Sequence, residues 1–351
     1  MDRRTFLGGA AALTLAARRS WAADGPLVIE GETIADAQLY AAAKAEGVVN
    51  VYGTYPADDF APMLDGFRGD TGLTLNYLRL PGQAMLPRVS AEFAAGKLEA
   101  DYVDLTDLPS VDQIVKLGIL TVPYKTRSFA DIPDNIRDPD GRWYSIVRPV
   151  YCIGINTELV GEADEPKSWA DMLQDKWAHK LAVPDIEAGG SAFTLFSFLH
   201  DVMGDDYWKR MAALKVRIYP TSAPLISNLV RGEVAMAWAG TSTVFQQKAL
   251  GAPLKAIFPK EGTCSFSASG GISSKAKNLN AAKLWMEWIT SKRGSQFVDN
   301  TASYGASSRA KPPTVDGVNF PPPDKVWNIN LQRWISTRDE FMNEWKTLTE
   351  S

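Results

Sequence analysis

Three short stretches of this chain carry groups that could grip a small charged molecule. Gly189-Gly190-Ser191-Ala192 stands where a helix begins. A helix start offers unpaired backbone N–H groups and the positive end of a dipole, which together receive an anion. The same residues also suit an ordinary cap, with Ser191 satisfying its own first turn. Gly240-Thr241-Ser242-Thr243 follows a buried apolar run. Thr241 and Ser242 there either hydrogen bond a ligand or cap the next helix. Arg148 and Tyr151 lie in a long extended run. Arg148 either clamps a carboxylate or phosphonate through two parallel hydrogen bonds or stands solvated at the surface.

Further contacts are expected where other strands end. Thr54 and Tyr55 follow Gly53, which allows close backbone approach. Strand side chains alternate, so one of Tyr52 and Tyr55 faces the core and the other a ligand. Gln83 either caps a helix or reaches outward. Thr106 ends a third strand, and Asp107 before Pro109 reads as a cap. Trp238, inside its strand, either walls a binding cleft or fills the core.

Covalent and metal chemistry find little material. His179 and His200 are the only histidines, and Cys152 and Cys264 the only cysteines. Any histidine-based metal site or Ser-His-Asp triad would have to use one of those two histidines. No nucleophile-plus-base pair or metal cluster stands out, and no cofactor is expected. The two cysteines read as separate buried thiols, although an oxidising compartment would permit one bridge.

The elements that position these residues alternate. Val48–Gly53, Leu73–Leu78 and Ala100–Leu105 read as strands, each followed by a stretch with helical spacing. Strands alternating with helices imply βαβ units and a mainly parallel sheet. Trp143–Asn156 is one extended run that leaves this first unit. From Glu158 to about Gly262 a second α/β unit follows, with strands at 180–185, 234–239 and 254–258. Ser265–Ile272 is a second crossing, back to the first unit. Helices at 280–291 and 294–300 pack on that unit. A helix from about Asn328 to Thr347 ends the chain, on either unit. Ligands of open α/β sheets bind outside the carboxyl ends of the strands. Two such units joined by two crossings form a hinged clamshell with those ends across a cleft.

The first residues place the work outside the cytoplasm. Arg3-Arg4 precedes Phe6 and Leu7, a small apolar run extends from Gly9 to Ala17, and Ser20-Trp21-Ala22 supplies a small-x-small site. That pattern is an export signal over 1–22, and its paired arginines resemble a twin-arginine leader. The apolar run is shorter than the roughly 20 residues of a spanning helix. With 37 basic and 41 acidic residues the net charge is −4, which points to neither nucleic acid nor an anionic membrane.

The ordered segments Val48-Val49-Asn50-Val51-Tyr52-Gly53, Lys180-Leu181-Ala182-Val183-Pro184-Asp185 with Gly190-Ser191-Ala192-Phe193, Val230-Arg231-Gly232-Glu233-Val234-Ala235-Met236-Ala237, and Asn280-Ala281-Ala282-Lys283-Leu284-Trp285 with Gly294 resemble the solute-binding proteins of ABC importers. The likeness is to type II periplasmic binding proteins, in the branch of the ferric-iron binders. It covers nearly the whole mature chain. It implies an α/β, two-lobed type II clamshell, with lobe 1 at 26–155 and 265–351 and lobe 2 at 156–264. It also implies a monomer that hands a small-molecule solute to an inner-membrane permease, and no enzyme activity. In relatives a late loop lines the cleft, which makes Tyr304 in Tyr304-Gly305-Ala306-Ser307-Ser308-Arg309 a contact. Ferric binders place adjacent tyrosines after the strand that follows Gly-Glu. Here that place is Gly240-Thr241-Ser242-Thr243, and neutral hydroxyls do not replace two phenolates on a hard cation. The solute is therefore expected to be a small organic anion, a carboxylate or a phosphonate or phosphate ester. A ferric or amine solute, an exported enzyme and a sensor on the same fold are the alternatives.

Overall fold

The computed structural model describes residues 25–55, 57–80, 82–106, 108–188, 190–265, 267–299, 314–315, 318–321, 326–329 and 331–350. The export signal, Asp107, Gly189 and Tyr304 lie outside the described residues.

A hairpin of β1 (Leu27–Ile29) and β2 (Glu32–Ala35) leads into α1 (Ala37–Glu46). Asp36 caps α1 by accepting from Leu39 N at 2.8 Å, and Gly47 closes it in the left-handed region at φ 73°. The first open sheet then forms from β3 (Val48–Gly53), β4 (Thr74–Arg79), β5 (Tyr102–Leu105), β6 (Tyr144–Val147) and β13 (Ala268–Ile272), in the order β4-β3-β5-β13-β6. The first three strands are parallel, with α2 (Ala57–Thr71), α3 (Gly82–Ala94) and α4 (Leu108–Lys116) between or after them. β13 and β6 complete the sheet in antiparallel register. Helices cover both faces. Phe60, Phe67, Trp285 and Trp288 fill one core and Met85, Val89, Val111 and Ile114 the other. The tryptophans come from α9 (Leu279–Thr290), followed by α10 (Lys292–Phe297).

The second sheet consists of β7 (Tyr151–Asn156), β8 (Leu181–Pro184), β9 (Arg217–Tyr219), β10 (Met236–Gly240) and β11 (Leu254–Ile257), in the order β11-β7-β10-β8-β9. Its faces carry α5 (Gly190–Met203) and α6 (Asp206–Ala213) on one side, and α7 (Ser222–Val230) and α8 (Thr241–Ala249) on the other. The α/β expectation of two units therefore holds.

Two boundaries differ from the expectation. Tyr151–Asn156 pairs inside the second sheet, so the first crossing is Arg148–Val150 rather than 155/156. Pro149 is the physical reason. It has no N–H to donate and cannot continue a ladder, so the extended run splits into β6 and β7 around it. The return crossing runs from β12 (Thr263–Cys264) to β13, and Val150 bridges Ser265 beside it.

The C-terminal region does not stay with the first lobe. After the short pair β14 (Thr314–Val315) and β15 (Val318–Asn319), Phe320 packs into the second lobe's core. β16 (Val326–Trp327) pairs in parallel with β12, and α11 (Leu331–Glu350) sets Trp334, Phe341 and Trp345 against Phe193, Phe196 and Trp208. The terminal helix thus belongs to the second lobe, with its side facing α4 in the first.

Candidate functional site

Sheet register brings one edge of each lobe to the hinge. In the first sheet β3 and β5 end at Gly53 and Leu105, and Val147 pairs with Ala268 at that same edge. In the second, β8 and β10 end at Pro184 and Gly240, with Tyr151 opposite Gly240. Both crossings join these two edges, so the strand ends face one another across a cleft.

A cavity of about 30 Å³ occupies this cleft. Thr106 and Asn135 line it from the first lobe, Ser267 and Ser269 from the return crossing and β13, and Thr194 and Trp334 from α5 and α11. Its walls combine hydroxyls and amides with the apolar side chains of Leu108, Ile136, Ile329 and Trp334. The third chain segment at the hinge is held by Ser265, whose N–H donates to Trp327 O at 3.1 Å and whose hydroxyl meets Asn328 Oδ1 at 2.6 Å.

Outside the cavity lining, the first crossing carries a buried charge. Arg148 is only 6% exposed, and its Nε–H has no hydrogen-bond partner. Among the described residues no carboxylate pairs with it, and burial holds its pKa below the usual arginine value. Buried charges are ordinarily paired, so the unpartnered Arg148 Nε–H is the strongest anomaly in the cleft region. Next to it, Thr241 N donates to Val150 O at 3.0 Å. The Thr241 hydroxyl is fully buried and has no partner. Gly240, the N-cap of α8, has no side chain to cap the helix. On the neighbouring strand, α5 starts at Gly190, and the Tyr151 hydroxyl hydrogen bonds Ser191. Arg148, Tyr151, Gly190, Ser191, Thr241 and the buried Ser242 thus gather around one sheet edge.

Of the expected contacts only Thr106 lines the cavity; these six do not, and several others are held in the cores. Thr54 is buried, and its N–H and hydroxyl both donate to Asp104 Oδ1 at 3.1 Å. Burial pushes Asp104 up to about 6 against those two bonds. A Cβ on Gly53 would lie 2.5 Å from Asp104 Oδ2, so only glycine permits this approach. Tyr55 packs in the first core against Phe60, and Tyr52 packs in the core on the opposite face. Neither tyrosine lines the cavity, because the helices on both faces of the sheet claim both sides of the strand end. Trp238 is a core residue too. It is 2% exposed, between Trp169 and Trp208, and its indole N–H donates to Met172 Sδ at 3.2 Å. Ala192 is likewise packed in the second core. Gln83 lies at the start of α3.

The cysteines do not pair. Cys152 and Cys264 are free and sit in different cores, where burial pushes both thiols up. His200 is held between Asp205 and Glu344 and stacks on Phe341 of α11, away from the cleft.

Sequence reasoning missed Asn135, Thr194, Ser267, Ser269 and Trp334. One signal was present. Ser265, Ser267 and Ser269 repeat every second residue along an extended crossing, and such spacing sets hydroxyls on one face. All three line the cavity. Trp334 gave no local sign, since a helix face shows that it is apolar and not what it meets.

Residues 62–314 match the model for the family described as bacterial extracellular solute-binding protein. The chain is 22% identical over 335 residues to the Fe(3+)-binding periplasmic protein of Serratia marcescens, covering 90% of this chain and 96% of that protein. It is 26% identical over 196 residues to an uncharacterized protein of Haemophilus influenzae, a match spanning 53% of this chain and 56% of that one. The substrate-binding protein of an ABC transporter from Agrobacterium tumefaciens has a similar structure, with a TM-score of 0.73 at 17% identity over 86% of this chain and 94% of its own.

Proposed function

We propose a cargo for this chain, which belongs to the family of bacterial extracellular solute-binding proteins: a small organic anion, held between the two lobes. The single observation that carries this reading is Arg148, buried at the hinge with an unpaired Nε–H and in no ion pair among the described residues. A guanidinium out of water needs a negative partner, and nothing described in the chain supplies one. An anionic solute does. The rotation that closes the two edges about the crossings would then remove the solute from water, as Arg148 already is. The cavity walls of Thr106, Asn135, Ser267 and Ser269 would hydrogen bond the rest of the solute.

Membership in this family supports delivery to an inner-membrane permease of an ABC importer. The Arg3-Arg4 pattern supports export into the periplasm through a twin-arginine leader, where the protein would act as a monomer. No covalent step is required. A ferric cargo fits less well, because Gly240-Thr241-Ser242-Thr243 supplies neutral hydroxyls in place of phenolates.

A thermal-shift panel of carboxylates, phosphate esters, phosphonates, amines and ferric iron tests the reading. A solute at a hundred times its dissociation constant stabilises the folded state by about 2.7 kcal/mol. Organic anions are expected to shift the melt. A shift with amines or ferric iron alone would overturn the proposal.

A further inference from the structure

We infer that the second lobe holds a further ligand site, away from the cleft, whose occupant is a single-ring aromatic carboxylate. The site is a cavity of about 100 Å³ between α6, the lead into β9 and the end of α11. β9 runs parallel to β8 with Tyr219 beside Pro184 at the inter-lobe edge, so Lys215 lies past the opposite ends of these strands. Trp334 of α11 lines the cleft cavity, whereas Trp345, about 16 Å further along the helix, lines this one. The two cavities share no lining residue.

The walls select a flat apolar body. Trp208 and Trp345 meet edge to face, with 5.9 Å between ring centres and 82° between planes. Met211, Ile218 and Leu348 add aliphatic surface. A ring set against two perpendicular indoles can stack on one and meet the other at its edge, the two arrangements that aromatic pairs prefer. The volume sets the size, since an apolar cavity of about 150 Å³ accepts one benzene.

The rim selects the charge. Lys215 is exposed, so the cavity opens at the surface beside its ammonium. The lysine stem starts from a fixed point. Its backbone is held in the left-handed region at φ 53°, its N–H donates to Ala212 O at 2.9 Å, and the preceding Leu214 O accepts from His179 N at 2.9 Å. Among the described residues Lys215 is in no ion pair, and no acidic side chain lines the cavity. One wall residue also carries a spare donor, because the indole N–H of the buried Trp208 has no hydrogen-bond partner. A carboxylate on the ring supplies the acceptors and the negative charge that this lining lacks. An amine in the same place would set two cations together.

The test titrates benzoate, cyclohexanecarboxylate and benzylamine into the mature chain by calorimetry. Benzoate is expected to bind about fivefold tighter than cyclohexanecarboxylate, the worth of an aromatic contact, and benzylamine not to bind. Lys215→Met should weaken benzoate by about fivefold, the scale of an exposed ion pair. Ala212→Leu, which fills the cavity from α6, should abolish its binding, with both variants folded by circular dichroism. Arg148→Met, a change in the other cavity's neighbourhood, reports whether benzoate has entered the cleft instead. A loss confined to Arg148→Met overturns this site, as does the absence of benzoate binding at tens-of-millimolar concentration. Equal affinity for cyclohexanecarboxylate overturns the aromatic class, and equal affinity for benzylamine overturns the role of Lys215.

Discussion

Arg148 and Asp104 are buried charges that the protein treats differently. Asp104 is met by two hydrogen bonds from Thr54, whereas the Arg148 Nε–H is met by none. Arg148→Met keeps the length of the side chain and removes the orphaned charge. It should raise the melting temperature of the solute-free protein, since replacing an uncompensated buried charge by an apolar group relieves its desolvation. A lower melting temperature would mean that Arg148 has a structural partner. Asp104 titrates at about 6, above its ordinary 3.8. The folded state therefore holds this proton longer than the unfolded one. Its contribution to stability is full below about pH 4 and is lost as the pH rises to about 6. Asp104→Asn stays neutral, so it should match the parent near pH 4 and exceed it by roughly 2 kcal/mol at pH 7. Urea unfolding at both pH values checks this, and a variant weaker than the parent at pH 7 would refute it. At this scale the hydroxyl-rich loops were legible from their place at strand ends. The burial of Arg148 was not, because a side chain's exposure depends on what the second lobe sets above it.

Among the elements, α11 decides most. Its apolar face of Trp334, Phe341 and Trp345 closes the second lobe's core over Phe193, Phe196 and Trp208, and Trp334 also reaches the cavity. Trp345→Ala should cost about 3 kcal/mol or more, the range for deleting a buried large aromatic, and solute affinity should change little because Trp345 does not line the cleft cavity. Guanidinium unfolding and calorimetry separate the two effects. A loss of affinity equal to that of Arg148→Met would mean that α11 positions the site as well as the core. Sequence periodicity identifies this helix within a few residues, yet it cannot choose between lobes, since either core offers an apolar surface. The hinge was also half legible. The run from Trp143 to Asn156 reads as one strand, and only Pro149 marks where it changes sheets.

For the whole molecule, alternation of strands and helices was enough to give two α/β lobes, because that pattern leaves few ways to bury both sheet faces. The third segment at the hinge was hidden, since β12 and β16 have two residues each and no period to read. The distribution of the cysteines is a whole-molecule fact as well. Cys152 and Cys264 lie in cores on opposite faces of the second sheet. Thiol titration should find both free after unfolding without reductant and neither reactive beforehand, and a single disulfide recovered from freshly folded protein would contradict that arrangement.

The central claim is that an anionic solute completes the charge of Arg148 between the lobes. Its most direct test is calorimetric titration of the tightest-binding organic anion into the parent protein and into Arg148→Met. Truncating one partner of a buried charge pair weakens binding by roughly a hundredfold, so the variant should lose about that much affinity while remaining folded. Equal affinity in the two proteins would contradict the claim.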